Sequence, residues 1–261
     1  MYKFMQIYGS CVDLFITGEN LIKGPVDNVL TKNKDVIKLL LNDKYLSYIK
    51  TTKFTQTERP IGFPGDSPVA YDTPLIRIVH NNPLLESYTK RTEERCKNLK
   101  EFLSQVRTNK NYFLLYSLNS FDINRKTHKL KNKVFIENVE YLKTVGLLDK
   151  IIFVGTVGTC WTDFWSNDII PVIKKYNLKY IEISGIKSWI NSTKEDLATL
   201  HNCFIDEVNY VLKNGTNSRY LQKRDENGAY IKEESKVAKS KETAENKENK
   251  NTYLNNGYFG L

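Results

Sequence analysis

Histidine is scarce in this chain of 261 residues. There are three, His80, His128 and His201, so chemistry that needs an imidazole base has few places to reside. Cysteine is nearly as sparse. Cys11, Cys96, Cys160 and Cys203 are far apart, form no CxxC pair and have no histidine at metal-ligand spacing, which argues against a zinc site and leads us to expect neither a metal nor a cofactor. Long apolar runs are missing too. Nothing approaches the length of a membrane span, and the N-terminal MYKFMQIYGS is too short and too polar for a secretory signal. The expectation is a cytoplasmic protein with reduced thiols and no membrane partner. Arginine is the last deficit. The 39 basic residues are mostly lysine, spread along the chain and not gathered on one face, so the formal charge of +9 reads as background composition and argues against nucleic acid as a partner.

What is present is a globular composition, with 40% hydrophobic residues and 12% aromatics. Short apolar runs, FMQIY, PLIRIV, NYFLLYSL, KIIFVGTV and LKYIEI, have the β-branched and aromatic content of strands. Between them lie segments of helical period. DVIKLLLNDKYLSYI places Val36, Leu39, Leu40 and Tyr45 near 3.6 spacing, and TKRTEERCKNLKEFLSQV gathers Cys96, Leu99, Phe102, Leu103 and Val106 on one face. FIENVEYLKTVGLL, DIIPVIKKY and LHNCFIDEVNYVLK predict three more helices. Alternation with short links predicts an α/β layered domain, residues 1–215, with a largely parallel central sheet of about five strands flanked by helices. The segment ERPIGFPGDSPVAYDTP holds four of the seven prolines and reads as a surface loop over the site. Residues 216–261 are charged, nearly balanced in sign and poor in apolar residues, which predicts a disordered tail.

In a parallel sheet the site lies off the carboxyl ends of the strands. That rule singles out Gly9-Ser10-Cys11, His80-Asn81-Asn82, Asn119 and the stretch from Gly155 to Trp161. A thiol at a helix start beside an imidazole is activated as thiolate, so Cys11 with His80 forms one candidate pair. The alternative is that Cys11 is a small buried residue and His80 merely ends a strand. His128, in the polar stretch NRKTHKLKN, reads as a solvated surface residue. Asp27 in KGPVDNVL either caps a following helix or serves as an orienting acid, and Glu182 in YIEIS points either out of the sheet or into the cleft. Cys160 in VGTCW is a third thiol candidate, with packing at a sheet end as the plainer role and Trp161 or Trp165 as a cleft wall.

Two resemblances sharpen these options. In outline the chain resembles the SGNH-type esterases, with Ser10 after the first strand, Asn119 after a middle strand, and Asp196 and His201 late in the chain. More of the chain, roughly Gln6 to Ile152, resembles a papain-like cysteine peptidase family of uncharacterised bacterial and viral proteins. The resemblance rests on IYGSC, GPVDNV, IVHNN, YTKRTEERCKNLKEFLSQ and NYFLLYSL, in that order. Here Cys11 directly follows Gly-Ser, and Val26 and Asn28 stand where the family has aromatics. The resemblance implies Cys11 as nucleophile, His80 as base and Asp27 or Asn81 as the orienting third group. Backbone N–H groups from Ser10 to Asp13 would hold the oxyanion. The expected partner is a peptide- or acyl-containing substrate. The alternatives are a serine esterase built on Ser10, Asn119, Asp196 and His201, and a binding module without catalysis.

Overall fold

The computed structural model describes residues 1–9, 17–27, 29–58, 69–79, 81–124, 126–131, 133–157, 164–184 and 193–231. The chain divides into two compact units, Met1–Lys223 and Arg224–Leu261. The first extends past the expected boundary at 215, because Thr216 is tied to the sheet: its hydroxyl accepts from Tyr180 N at 3.2 Å and donates to Leu178 O, and Tyr220 is buried beyond it. In the second unit, Asp225 N donates to Ala229 O at 3.0 Å around Gly228, whose φ is 82°. The charged stretch 232–261, expected as a tail, lies outside the described residues.

The first unit is mixed α/β. Strands β1 (Lys3–Tyr8), β6 (Tyr112–Ser117), β9 (Ile151–Val157) and β10 (Lys179–Ser184) form a four-stranded parallel sheet in the order β1-β6-β9-β10. Alternation along each strand sends Phe4, Phe113, Leu115, Ile152, Val154, Ile181 and Ile183 to one face. There they meet Phe204, Val208 and Val211 of the C-terminal helix Lys194–Asn214, and Phe204 stands edge-on to Phe4 with ring centroids 5.1 Å apart. Among the described residues the unit has five further α-helices, α1 (Lys34–Leu41), α2 (Tyr45–Thr51), α3 (Glu86–Val106), α4 (Val134–Thr144) and α5 (Ile169–Tyr176), which makes Lys194–Asn214 α6. Of these, α1 packs on β1 and α3 on β6. Phe135 of α4 seats edge-on against both Tyr116 and Phe153 at 5.7 Å.

The fifth expected strand, PLIRIV, does not join this sheet. Its core, β5 (Ile76–Ile78), pairs antiparallel with β2 (Val29–Thr31) and β4 (Val69–Asp72), and β4 pairs with β3 (Thr55–Glu58), in the order β2-β5-β4-β3. The reason is the connection. Thr73 closes a tight turn, its N–H donating to Ile76 O at 2.9 Å and its hydroxyl accepting from Ile76 N at 3.0 Å. So short a link joins antiparallel neighbours only, since a parallel partner needs a crossover of about a dozen residues. The same pairing makes Val69–Asp72 a strand inside the segment expected to be all loop; residues 59–68 lie outside the described residues. A third small sheet pairs β7 (Ile123–Asn124) with β8 (Lys129–Leu130).

The expected helix DVIKLLLNDKYLSYI is two, α1 and α2. Asn42 turns its side chain back onto Lys38 O at 2.8 Å, and Asp43 takes a left-handed φ of 56°, a conformation that asparagine and aspartate tolerate better than other residues.

Candidate active site

At the carboxyl edge of the parallel sheet, β1 ends in a knot of buried polar groups. Gly9 N donates to Thr31 Oγ1 at 2.7 Å, and Gly9 O receives both Thr31 N at 3.2 Å and Asn119 Nδ2 at 3.2 Å. The same Asn119 amide also donates to Thr31 O at 3.1 Å, while its carbonyl oxygen accepts from Phe121 N at 2.8 Å. Asn119 thus spends both ends of its amide on holding β1, β2 and the loop after β6 together. Gly9 itself has φ +140°, and a Cβ there would lie 2.7 Å from that of Ser117, so only glycine fits this close strand end. Position 9 is therefore fixed immediately before the Ser-Cys pair. Ser10 and Cys11 lie outside the described residues.

Behind this knot a second cluster is fully enclosed. The register of β1 on β6 slips between Gln6 and Tyr8, and Tyr8 stacks on Tyr116 with centroids 4.3 Å apart at 15°. Tyr116 Oη donates to Asp122 Oδ1 at 2.6 Å and accepts from Asn138 Nδ2 at 2.5 Å, and Asp122 Oδ2 accepts from Asn119 N at 2.9 Å. Burial pushes the Asp122 carboxyl up to about 7, against the opposing pull of these donors. Sequence reasoning did not single out Asp122, because SFDIN has no pattern that distinguishes a buried carboxylate from a turn residue.

The third group is the corner that the turn Gly24–Asp27 builds. Asp27 was weighed as a helix cap, but β2 and not a helix follows it. Its Oδ2 caps the turn itself, accepting from Gly24 N at 2.9 Å. Its Oδ1 is buried and accepts no hydrogen bond among the described residues. Desolvation raises the carboxyl to about 6, with Arg95, the Gly24 N–H and Lys23 opposing. Arg95 Nη1 reaches Asp27 O at 3.5 Å, and Arg91 Nη2 donates to Asn81 Oδ1 at 3.1 Å. A cavity of about 20 Å³ opens here, lined by Pro25, Asn81, Tyr88, Arg91, Thr92 and Arg95. The structure thus brings Asp27 and Asn81 to one corner. His80, the expected base, lies outside the described residues.

Three residues of the esterase alternative, Asn119, Asp196 and His201, have their side chains engaged elsewhere, and the fourth, Ser10, lies outside the described residues. Asn119 has no free donor for an oxyanion. Asp196 closes a capping box with Thr193, accepting from its N at 2.8 Å and its hydroxyl at 3.1 Å. His201 meets Asn20 Nδ2 through Nε2 at 3.1 Å and covers Gly18. Among the described residues no hydrogen bond joins His201 to Asp196 or Asn119. Five helical positions separate Asp196 from His201, about 140° around the axis, so the two side chains leave α6 in different directions.

Other expected positions also resolve. His128, expected to be solvated, is half-buried: it stacks on Trp165 at 4.2 Å and 9°, and Trp165 is itself buried. Gly155 lies within β9, where a Cβ would collide with the Tyr180 hydroxyl. That hydroxyl donates to Glu182 Oε1 at 3.0 Å, so Glu182 stands on the Tyr180 side of β10. Cys160 and Trp161 lie outside the described residues. Burial pushes the Cys96 thiol up to about 11, which makes it a core residue and not a nucleophile. No family model, curated protein or solved structure matches this chain. Sequence reasoning missed Arg91, Arg95, Tyr88 and Thr92 as a group. The available signal was their spacing, since positions 88, 92 and 95 fall on one helical face.

Proposed function

We propose that the protein is a thiol hydrolase of papain-like type, with Cys11 as nucleophile, His80 as base and Asp27 as the orienting acid. The observation that carries this reading is the buried Oδ1 of Asp27, a carboxylate oxygen with no donor. Such an atom is costly unless a hydrogen-bond donor serves it. The ladder beside it supports His80 as that donor. Val29 pairs with Ile78, and in the sequence Asp27 precedes the first of these by two residues while His80 follows the second by two. Asn81 is the weaker third group, because its carbonyl oxygen is taken by Arg91.

In this reading the Cys11 thiolate attacks a carbonyl carbon, forming the C–S bond. His80 delivers its proton to the leaving group as the bond between that group and the carbonyl carbon breaks, and water then hydrolyses the resulting thioester, releasing the acid and restoring the Cys11 thiol. Asp27, ionised above about pH 6, accepts the other imidazole N–H and fixes the tautomer. The fixed Gly9 anchors the chain two residues before Cys11 in the sequence. The layered arrangement, with helices over both faces of the parallel sheet, would leave the carboxyl edge as the open side.

A thiol-directed acyl probe tests this, with the labelled residue mapped by mass spectrometry. Cys11 should label far faster than Cys203, the exposed cysteine, and labelling should vanish in Cys11→Ala and fall by on the order of a hundredfold in His80→Ala. Equal rates at Cys11 in folded and denatured protein would remove the proposal, and labelling by a fluorophosphonate at Ser10 would replace it.

A further inference from the structure

The corner holds more positive charge than it uses. Arg91 bonds only the neutral Asn81 amide, and Arg95 only a backbone carbonyl, at 3.5 Å; among the described residues no carboxylate forms an ion pair with either guanidinium. Asp27 offsets Arg95 in part, but Lys23 also bears on that carboxyl, so cations outnumber anions around the cavity. In a chain whose cations are mostly lysine, two arginines one helical turn apart on α3 put two planar, weakly hydrated forks at one spot. Tyr88, on the same helical face, lines the cavity too. It is 5% exposed, Thr92 is the side chain that bears most closely on its hydroxyl, and it lies in the field of both arginines.

A buried hydroxyl donor beside two guanidinium groups that form no ion pair among the described residues is complementary to one kind of ligand. We propose that this cavity binds a carboxylate group. The size of the cavity selects between oxyanions. At about 20 Å³ it has room for roughly one or two waters, which two carboxylate oxygens can displace and the four oxygens of a phosphate overfill. The forks of Arg91 and Arg95 take the two oxygens, and the Tyr88 hydroxyl donates to one of them. Because Asp27 and Asn81 border the same corner, a substrate held here by an acidic side chain or a free C-terminus would lie beside the residues assigned to the hydrolase. The binding claim itself does not depend on that chemistry.

The test uses the full chain carrying Cys11→Ala, so that binding is read apart from any turnover. Succinate is titrated at constant ionic strength against chloride, with inorganic phosphate as a parallel arm, and the midpoint of thermal unfolding and the heat of binding are followed. Succinate should bind saturably and more tightly than phosphate. Arg91→Gln, at an exposed position that leaves the core intact, should weaken succinate by on the order of tenfold, and Arg95→Gln by at least as much. No saturable effect beyond chloride, an unchanged affinity in Arg91→Gln, or tighter binding of phosphate than of succinate would each overturn the proposal. Succinate binding with no thiol labelling in the parent chain would leave this site standing and remove only the hydrolase.

Discussion

The Asn119 knot and the Asp27 corner sit at opposite ends of one short strand, β2, and they treat their polar groups in opposite ways. At the Thr31 end, each polar atom of the Asn119 side chain is spent on backbone, and the residue is wholly buried. At the other end, among the described residues, one buried carboxylate oxygen accepts no hydrogen bond and two guanidinium groups form no ion pair. Satisfied networks hold a fold in one arrangement, whereas unspent groups cost stability and are retained where a ligand or a reacting group completes them. The two buried carboxylates repeat the contrast. Asp122 has donors on both oxygens and Asp27 on one, yet burial raises both.

The largest expected effect comes from breaking the satisfied end. Asn119→Ala strands Thr31 O and Phe121 N and weakens the hold on Gly9, and should destabilise the fold by about 2–4 kcal/mol in urea unfolding. A loss below about 1 kcal/mol would mean that the knot is not what holds β1 to β2.

The next effect is on pH dependence. A carboxyl whose pKa is higher in the folded than in the unfolded chain holds its proton more tightly when folded. Its contribution is therefore full below the unfolded value near 3.8 and is lost as pH rises through the folded one. Stability should fall between about pH 4 and 7, with Asp27 acting up to about 6 and Asp122 up to about 7. Asp122→Asn should flatten the upper part of that slope. A slope of the opposite sign in the parent chain would show that the donors around Asp122 outweigh its burial.

The smallest stability effect, and the sharpest functional one, belongs to Asp27→Asn. The amide oxygen keeps the Gly24 contact, so unfolding should shift by less than about 1 kcal/mol, while acyl labelling of Cys11 slows by roughly tenfold or more. If labelling is unchanged, Asp27 is a turn cap like any other, and the contrast between the two ends of β2 loses its functional meaning.

Much of the fold was legible because its signals are local. Apolar runs such as KIIFVGTV and the 3.6 period of CKNLKEFLSQV declare a strand and a helix from neighbouring residues alone. PLIRIV declares a strand equally well but not its sheet, which depends on the Thr73 turn that precedes it. Asn119 was legible as a residue at a strand end and was placed with Ser10, Asp196 and His201 in the esterase alternative. What occupies its amide, Gly9 and Thr31, comes from about a hundred residues away in the chain. Arg91 and Arg95 stand one helical turn apart in the sequence, a spacing that singles out no site, and that they border Asp27 and Asn81 depends on how α3 packs.

By itself the amino-acid sequence determined the alternating elements, the glycine at the end of β1, and the small set of residues able to do acyl chemistry. Backbone sterics and hydrophobic period act within a few residues, so they can be read in one dimension. Only the tertiary structure decided which polar groups are consumed and which remain unspent. Desolvation and hydrogen-bond completion depend on what the rest of the chain brings against a side chain, and that partner is set by packing.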